Sequence, residues 1–330
     1  MSIFESLSGV FSCMLMICIG YYLTQRKWFD QPTAKLFSKM AMSLTIPLYM
    51  IVSMMKSYKK EDLMQLGVVV IVPFVTMLLT YVVGVVVSHV FRIPEHRYGT
   101  FRSMFFVANT AFIGFPVNVA LFGEQALPYA VMYYLVQSLL FWTIGAYGMS
   151  LDGPKMVALG LSEDNTGSCT MPKICSKQTL KNILTPPLIG AVIAIMFILV
   201  GIKLPTFLKH TFQSIGGMTT PLAMLFIGIS IYLVNVKSIR ITYDVVILIL
   251  ARFLIAPAII IVAVHFIEVP DLMRKVFIIE ASMPVMTQCS IAARAYKADY
   301  GYVAVVTAIT TMMSIVTIPT FFILIHFGIL

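Results

Sequence analysis

In an otherwise apolar chain, two short stretches concentrate amides, hydroxyls and helix-breaking residues. The first, "NTAFIGFPVNV", sets Asn109 and Thr110 a few residues before Gly114 and Pro116, with Asn118 just beyond. The second, "ASMPVMTQCS", sets Pro284 before Thr287, Gln288, Cys289 and Ser290. Proline lacks a backbone donor and clashes with the carbonyl four residues earlier, and glycine offers no side chain to hold the turn. Each stretch is therefore expected to interrupt a helix, the first of them between Phe112 and Pro116. Interrupted backbone survives in hydrocarbon only against protein or a water-filled cavity. The second fragment of each helix then turns N–H groups and a positive dipole end inward, which favours an anion. Asn109, Thr110, Gly114, Pro116, Pro284, Thr287, Gln288 and Ser290 form the expected substrate-binding set. Pro47 and Pro221, with no Asn or Gln beside them, read as kinks.

Charge inside the apolar runs narrows the chemistry. Only Glu280 and Arg252 are deeply placed, and every Asp, including Asp152 and Asp244, falls in or beside a loop. A charge at the bilayer centre costs at least about 2.5 to 3.5 kcal/mol, so each needs a partner or water. The two are expected to pair with one another, or Glu280 to bind a proton or a sodium ion, with Arg252 structural. Phosphate-binding glycine loops, Ser-His-Asp order and HExxH are absent, so no enzyme is indicated. Cys169 and Cys175 are too few for a zinc site, and no metal or cofactor is expected beyond sodium or proton coupling.

These residues need elements to hold them. With 59% hydrophobic and 11% charged residues, the chain is too apolar for a soluble domain and reads as an all-α integral membrane protein. Ten apolar runs fall at about 4–24, 34–55, 66–91, 101–122, 127–148, 179–201, 207–234, 243–267, 275–296 and 302–327. The first, followed by "TQRKW", has no basic start or cleavage site and reads as a span, not a signal peptide. The organisation is a first five-helix repeat over 1–150, a cytoplasmic linker over 151–178 and a second repeat over 179–330. Pro47 and Pro221 are 174 residues apart, and the same shift lays "FGEQALPYA" on "YKADYGYVA". Five being odd, the second copy enters from the opposite face, which makes an inverted repeat with broken helices 4 and 9 crossing.

Of the 23 Lys and Arg, fifteen fall on the face carrying the loops after helices 1, 3, 5, 7 and 9, Lys35 among them, and seven on the other. The richer face is expected to be cytoplasmic, with both termini outside the inner or plasma membrane. The net charge of +9 forms no continuous stripe, so it points to lipid head groups and excludes nucleic acid.

The stretch "NTAFIGFPVNVALFGEQAL" resembles the fourth-helix motif of the auxin efflux carrier family. "ASMPVMTQCSIAARAYKADYGYVAVVTAITTMMSIVTIPTFFIL" resembles that family's ninth and tenth helices. Length and the short central loop resemble its bacterial members. The resemblance implies a fold like that of sodium/proton antiporters and bile acid symporters. In it helices 1, 2, 6 and 7 form a dimerising scaffold, and 3 to 5 and 8 to 10 form a core that moves like an elevator. It further implies that Asn109 holds a substrate carboxylate, that Pro116 and Pro284 shape the crossing, and that the substrate is a small organic anion such as malate, malonate or an auxin-like acid. Bile acid symporters use Glu and Gln of the ninth helix for sodium; here Glu280 and Gln288 are eight residues apart. A sodium-coupled symporter, a sodium/proton antiporter, which relies on buried Asp at the crossing, and a non-transporting receptor or channel are the alternatives.

Overall fold

The computed structural model describes residues 3–60, 66–161, 184–233 and 241–329, and all regular structure among them is helical apart from one isolated bridge. In chain order the helices are α1 (Ile3–Gln25), α2 (Gln31–Ser57), α3 (Leu66–Val90), α4a (Tyr98–Phe106) and α4b (Thr110–Phe122), then α5 (Glu124–Ala158). They continue with α6 (Pro186–Val200), α7 (Thr206–Leu233), α8 (Tyr243–Phe266), α9a (Asp271–Ala281), α9b (Gln288–Ala295) and α10 (Tyr300–His326). Six of them, α2, α3, α5, α7, α8 and α10, are long and apolar enough to cross a membrane.

Most of the expected 151–178 linker, with Cys169 and Cys175, lies outside the described residues. Its first residues do not form a loop: α5 continues to Ala158. The reason is Asp152, which is buried and accepts hydrogen bonds from the Gly99 amide at 3.0 Å and from the Thr100 amide and hydroxyl at 2.6 and 2.7 Å. Those are unpaired donors of the first turn of α4a, where a carboxylate also meets the positive dipole end. Asp244 is likewise buried, in the first turn of α8, and Arg97 bridges it at 3.1 Å to Asp299 at 2.7 Å. The expectation that every Asp falls in or beside a loop is corrected at Asp152, which lies within α5; Asp244 does stand beside the loop before α8, but tertiary partners bury both.

The prolines act differently from a simple break. Three π-helical turns, Ala41–Thr45, Thr110–Gly114 and Ala251–Ile255, each end two residues before a proline: Pro47, Pro116 and Pro257. Widening the helix by one residue ahead of the ring accommodates the missing donor and the displaced carbonyl without interrupting the rod. Gly114 is accordingly helical (φ −62°, ψ −49°), and the Phe115 amide donates to the Thr110 carbonyl, five residues back. The expected break near Gly114 is therefore corrected; the interruption of helix 4 lies upstream, at Val107–Asn109.

α1 packs along α7 and α6 along α2. The first pair approaches closely through Gly20 and Gly228: a Cβ on Gly20 would stand 2.6 Å from the Leu225 carbonyl oxygen, and one on Gly228 would collide with the Ile17 carbonyl. Between apolar helices, such backbone proximity maximises dispersion contact, the main attraction available in lipid. At the α2–α7 contact the Thr219 hydroxyl donates to the Thr45 hydroxyl at 2.8 Å, between residues separated by 174 positions.

Candidate functional site

Both interrupted helices meet at their gaps. α4a stops at Phe106, Val107 is extended, and Ala108 forms an antiparallel bridge with Val285, in the gap between α9a and α9b. The Asn109 amide donates to the Pro284 carbonyl at 2.7 Å. Buried backbone needs its partners supplied, and two side chains do so here. Gln137 of α5 works like a facing peptide: its Oε1 accepts from the Ala108 amide at 2.8 Å and its Nε2 donates to the Ala108 carbonyl at 2.7 Å. Across the crossing, the Val285 amide donates to the Thr310 hydroxyl of α10 at 3.2 Å.

The ends of the first fragments converge on a cation. Arg252, 1% exposed on α8, donates to the carbonyls of Phe105 (3.3 Å), Ala281 (2.9 Å) and Met283 (3.0 Å). Two helix C-termini, each carrying partial negative charge, thus share one guanidinium whose flat fork reaches both. Arg252 does not pair with Glu280, so that expectation is corrected: the carbonyl ends outcompete the carboxylate because they lie on the face Arg252 presents. Glu280, fully buried, instead accepts from the Asn118 amide at 2.8 Å, and the same Asn118 nitrogen donates to the Gly114 carbonyl at 2.9 Å.

Beside the crossing lies a cavity of about 410 Å³ between α2 and α7 on one side and α4b, α9b and α10 on the other. Of the eight expected substrate residues, Asn109, Thr287 and Ser290 line it. The others do not. The Thr110 hydroxyl accepts from Gln137 at 3.3 Å, and Pro284 receives the Asn109 amide. Pro116 sits in the first turn of the α-helical part of α4b, and Gln288 is outside the cavity wall. Gly114 has a spatial task, since a Cβ there would stand 2.7 Å from Glu280 Oε1.

Sequence reasoning missed two contributors. Gln137 is one, although a lone amide in an apolar run is itself a signal that something polar must be met inside. Lys35, by sequence only a topology charge, is the other: it lines the cavity, together with Gln31 one turn earlier and Ser230 of α7. At the same lip, Asp30 caps α2: its Oδ1 accepts from the Thr33 hydroxyl at 2.6 Å and amide at 2.9 Å, which holds its carboxyl below the usual range. A cavity with one cationic side chain, an amide and hydroxyls can hold a small anion by charge-assisted hydrogen bonds.

A sequence profile of the membrane transport protein family matches residues 4–322. Among curated proteins, an uncharacterised transporter of Methanocaldococcus jannaschii is 22% identical over 313 residues, covering 92% of this chain and 94% of its own length. A second uncharacterised transporter, from Methanothermobacter thermautotrophicus, is 23% identical over 319 residues, covering 95% and 96%. Nearly the whole chain takes part in each match, so the likeness extends over both interrupted helices and the residues around the cavity. The chain belongs to the membrane transport protein family, that of the auxin efflux carriers, and is a multi-pass membrane protein.

Proposed function

We propose that this protein is a secondary carrier of small organic anions, carboxylates of the size of malate or malonate, bound in the cavity beside the crossing. The observation that carries the reading is the meeting of Lys35 with Asn109, Thr287 and Ser290 around one space of about 410 Å³. Lys35 offers charge from α2, while the amide and hydroxyls orient the carboxylate from the crossing side. Chemistry of this kind selects a compact anion over a cation.

The same proposal takes the chain as ten spans in two inverted five-helix repeats. Three contacts support it: the antiparallel bridge between the two gaps, the Thr45–Thr219 hydrogen bond at the repeat distance, and the reciprocal packing of α1 on α7 and α6 on α2. Helices 1, 2, 6 and 7 serve as scaffold and dimer contact, and helices 3 to 5 and 8 to 10 move as an elevator. Gln31, Lys35 and Tyr300 lie at the chain ends of α2 and α10 that the distribution of basic residues assigns to the cytoplasm, so the cavity belongs to an inward-facing state. On that assignment both termini are extracytoplasmic.

Uptake of labelled mono- and dicarboxylates into proteoliposomes tests the reading. Asn109→Ala and Lys35→Ala are expected to weaken apparent affinity, with Lys35→Arg close to wild type. Saturable dicarboxylate transport that is indifferent to both substitutions would refute the site.

A further inference from the structure

Among the described residues, Glu280 is the buried acid near the crossing whose partners leave its chemistry unfinished. One oxygen, Oε1, receives the Asn118 amide at 2.8 Å; the other, Oε2, has no hydrogen-bond partner, and neither has Asn118 Oδ1. Both residues are fully buried. An ionised carboxylate can only accept, so two buried acceptors stand without a donor. A proton on the carboxyl adds the one donor this cluster lacks and removes the charge that burial penalises.

Among the described residues no cation pairs with it instead. Arg252 directs its two terminal nitrogens to three carbonyls, and its buried Nε, though without a partner, makes no ion pair or hydrogen bond with Glu280. From α5, the Tyr133 ring packs on Phe277 and its hydroxyl lies within electrostatic reach of both Glu280 and Arg252. From α10, Tyr302 stacks on Arg97, and His326 lies beside Asp271 and Lys275, which pair with each other at the start of α9a together with Arg274. Glu124, in the turn before α5, pairs with Lys56, and His265 of α8 is exposed in that helix's last turn. The space for the carboxyl is built into the chain, because any side chain at Gly114 would occupy it.

We propose that Glu280 carries the coupling proton, so that the anion is moved by symport with one proton bound to this carboxyl. Glu280 is not in the cavity wall and shares no ligand with Asn109, Thr287 or Ser290, so proton and anion load side by side and do not compete. The proton arrives from water on one side and returns to water on the other, with no other group changed. This inference rests on the carrier reading above, and its test separates the two.

Infrared difference spectra of the purified protein report the carboxylic C=O stretch without any substrate. Wild type at neutral pH is expected to show a buried acid band that Glu280→Gln deletes and Asn118→Ala shifts, since the latter removes the hydrogen bond to Oε1. In proteoliposomes with the membrane potential clamped, one coupled proton accumulates anion about tenfold per unit of pH gradient; Glu280→Gln is expected to bind and exchange the anion while accumulating none. The proposal is overturned if wild type shows no such band, if Glu280→Gln still accumulates anion on a pH gradient, or if a sodium gradient replaces the pH gradient. A band present in a protein that moves no carboxylate refutes the carrier reading and, with it, the coupling role. Should Glu280→Gln fail to fold, the band shift in Asn118→Ala and the gradient dependence of wild type decide the matter.

Discussion

Replacing Gln137 by Leu keeps the side-chain volume and removes both hydrogen bonds to Ala108, at 2.8 and 2.7 Å. Ala108 is fully buried, so no water can take over. A buried backbone group left unsatisfied costs about 1 to 3 kcal/mol, which gives about 2 to 6 kcal/mol for the pair. Polar contacts between membrane helices measure lower, about 0.6 and at most about 1.7 kcal/mol each, because groups released in a membrane find other partners. Here re-pairing is blocked: the next amide, that of Asn109, is already committed to the Pro284 carbonyl. The expected loss is therefore about 2 to 4 kcal/mol. Gln137→Glu keeps an acceptor for the Ala108 amide and is expected to fall between Leu and wild type. Denaturant unfolding in detergent, paired with transport in proteoliposomes, measures both consequences. A Gln137→Leu protein within about 0.5 kcal/mol of wild type, the scatter of neutral surface changes, would show that the gap is not held by this side chain.

Arg252→Met strands the carbonyls of Phe105, Ala281 and Met283 and is expected to cost about 1 to 3 kcal/mol for each one left without a donor, with Arg252→Lys rescuing only part because an ammonium lacks the planar fork; unfolding midpoints distinguish the two. Gly114→Ala forces a methyl against the Glu280 carboxyl and should lower stability by about 1 to 3 kcal/mol in a thermal scan, with the loss relieved in the Gly114→Ala/Glu280→Ala double variant. Asp152→Ala removes the acceptor for two amides and a hydroxyl at the start of α4a, an expected loss of about 2 kcal/mol, at the upper end for a helix cap, read by the same scan. Gly228→Leu drives a side chain into the α1 backbone and is expected to abolish the folded, monodisperse fraction in size-exclusion chromatography.

Much of this architecture is legible in the chain, because hydrophobic length is a local property. Each expected run overlaps a described helix or pair of half-helices, with residues 179–183 and 234 outside the described ones, and the pairing of Asn109 with Thr287 and Ser290 follows from placing two unusual stretches opposite one another. What could not be read depends on neighbours. Proline and glycine announce a disturbance, but whether it becomes a gap or a widened turn is decided by what stands alongside: Pro116 is absorbed by Thr110–Gly114, while the true gap at Val107–Asn109 holds neither residue type and exists because Gln137, Arg252 and Pro284 meet its backbone. The same limit applies to charge. Glu280 and Arg252 are visible as buried, yet which face each presents, and so the choice of Asn118 and of helix-end carbonyls as partners, emerges only when α4, α8 and α9 are packed together.

Arg252 ties the tail of α4a to the tail of α9a, and the Asn109–Pro284 hydrogen bond stitches the gaps beyond them. Pulling the two threads apart would expose several backbone groups at once to a medium with nothing to offer them. The knot therefore binds α4 and α9 into one piece, and the neighbouring cavity lies between that piece and α2 and α7.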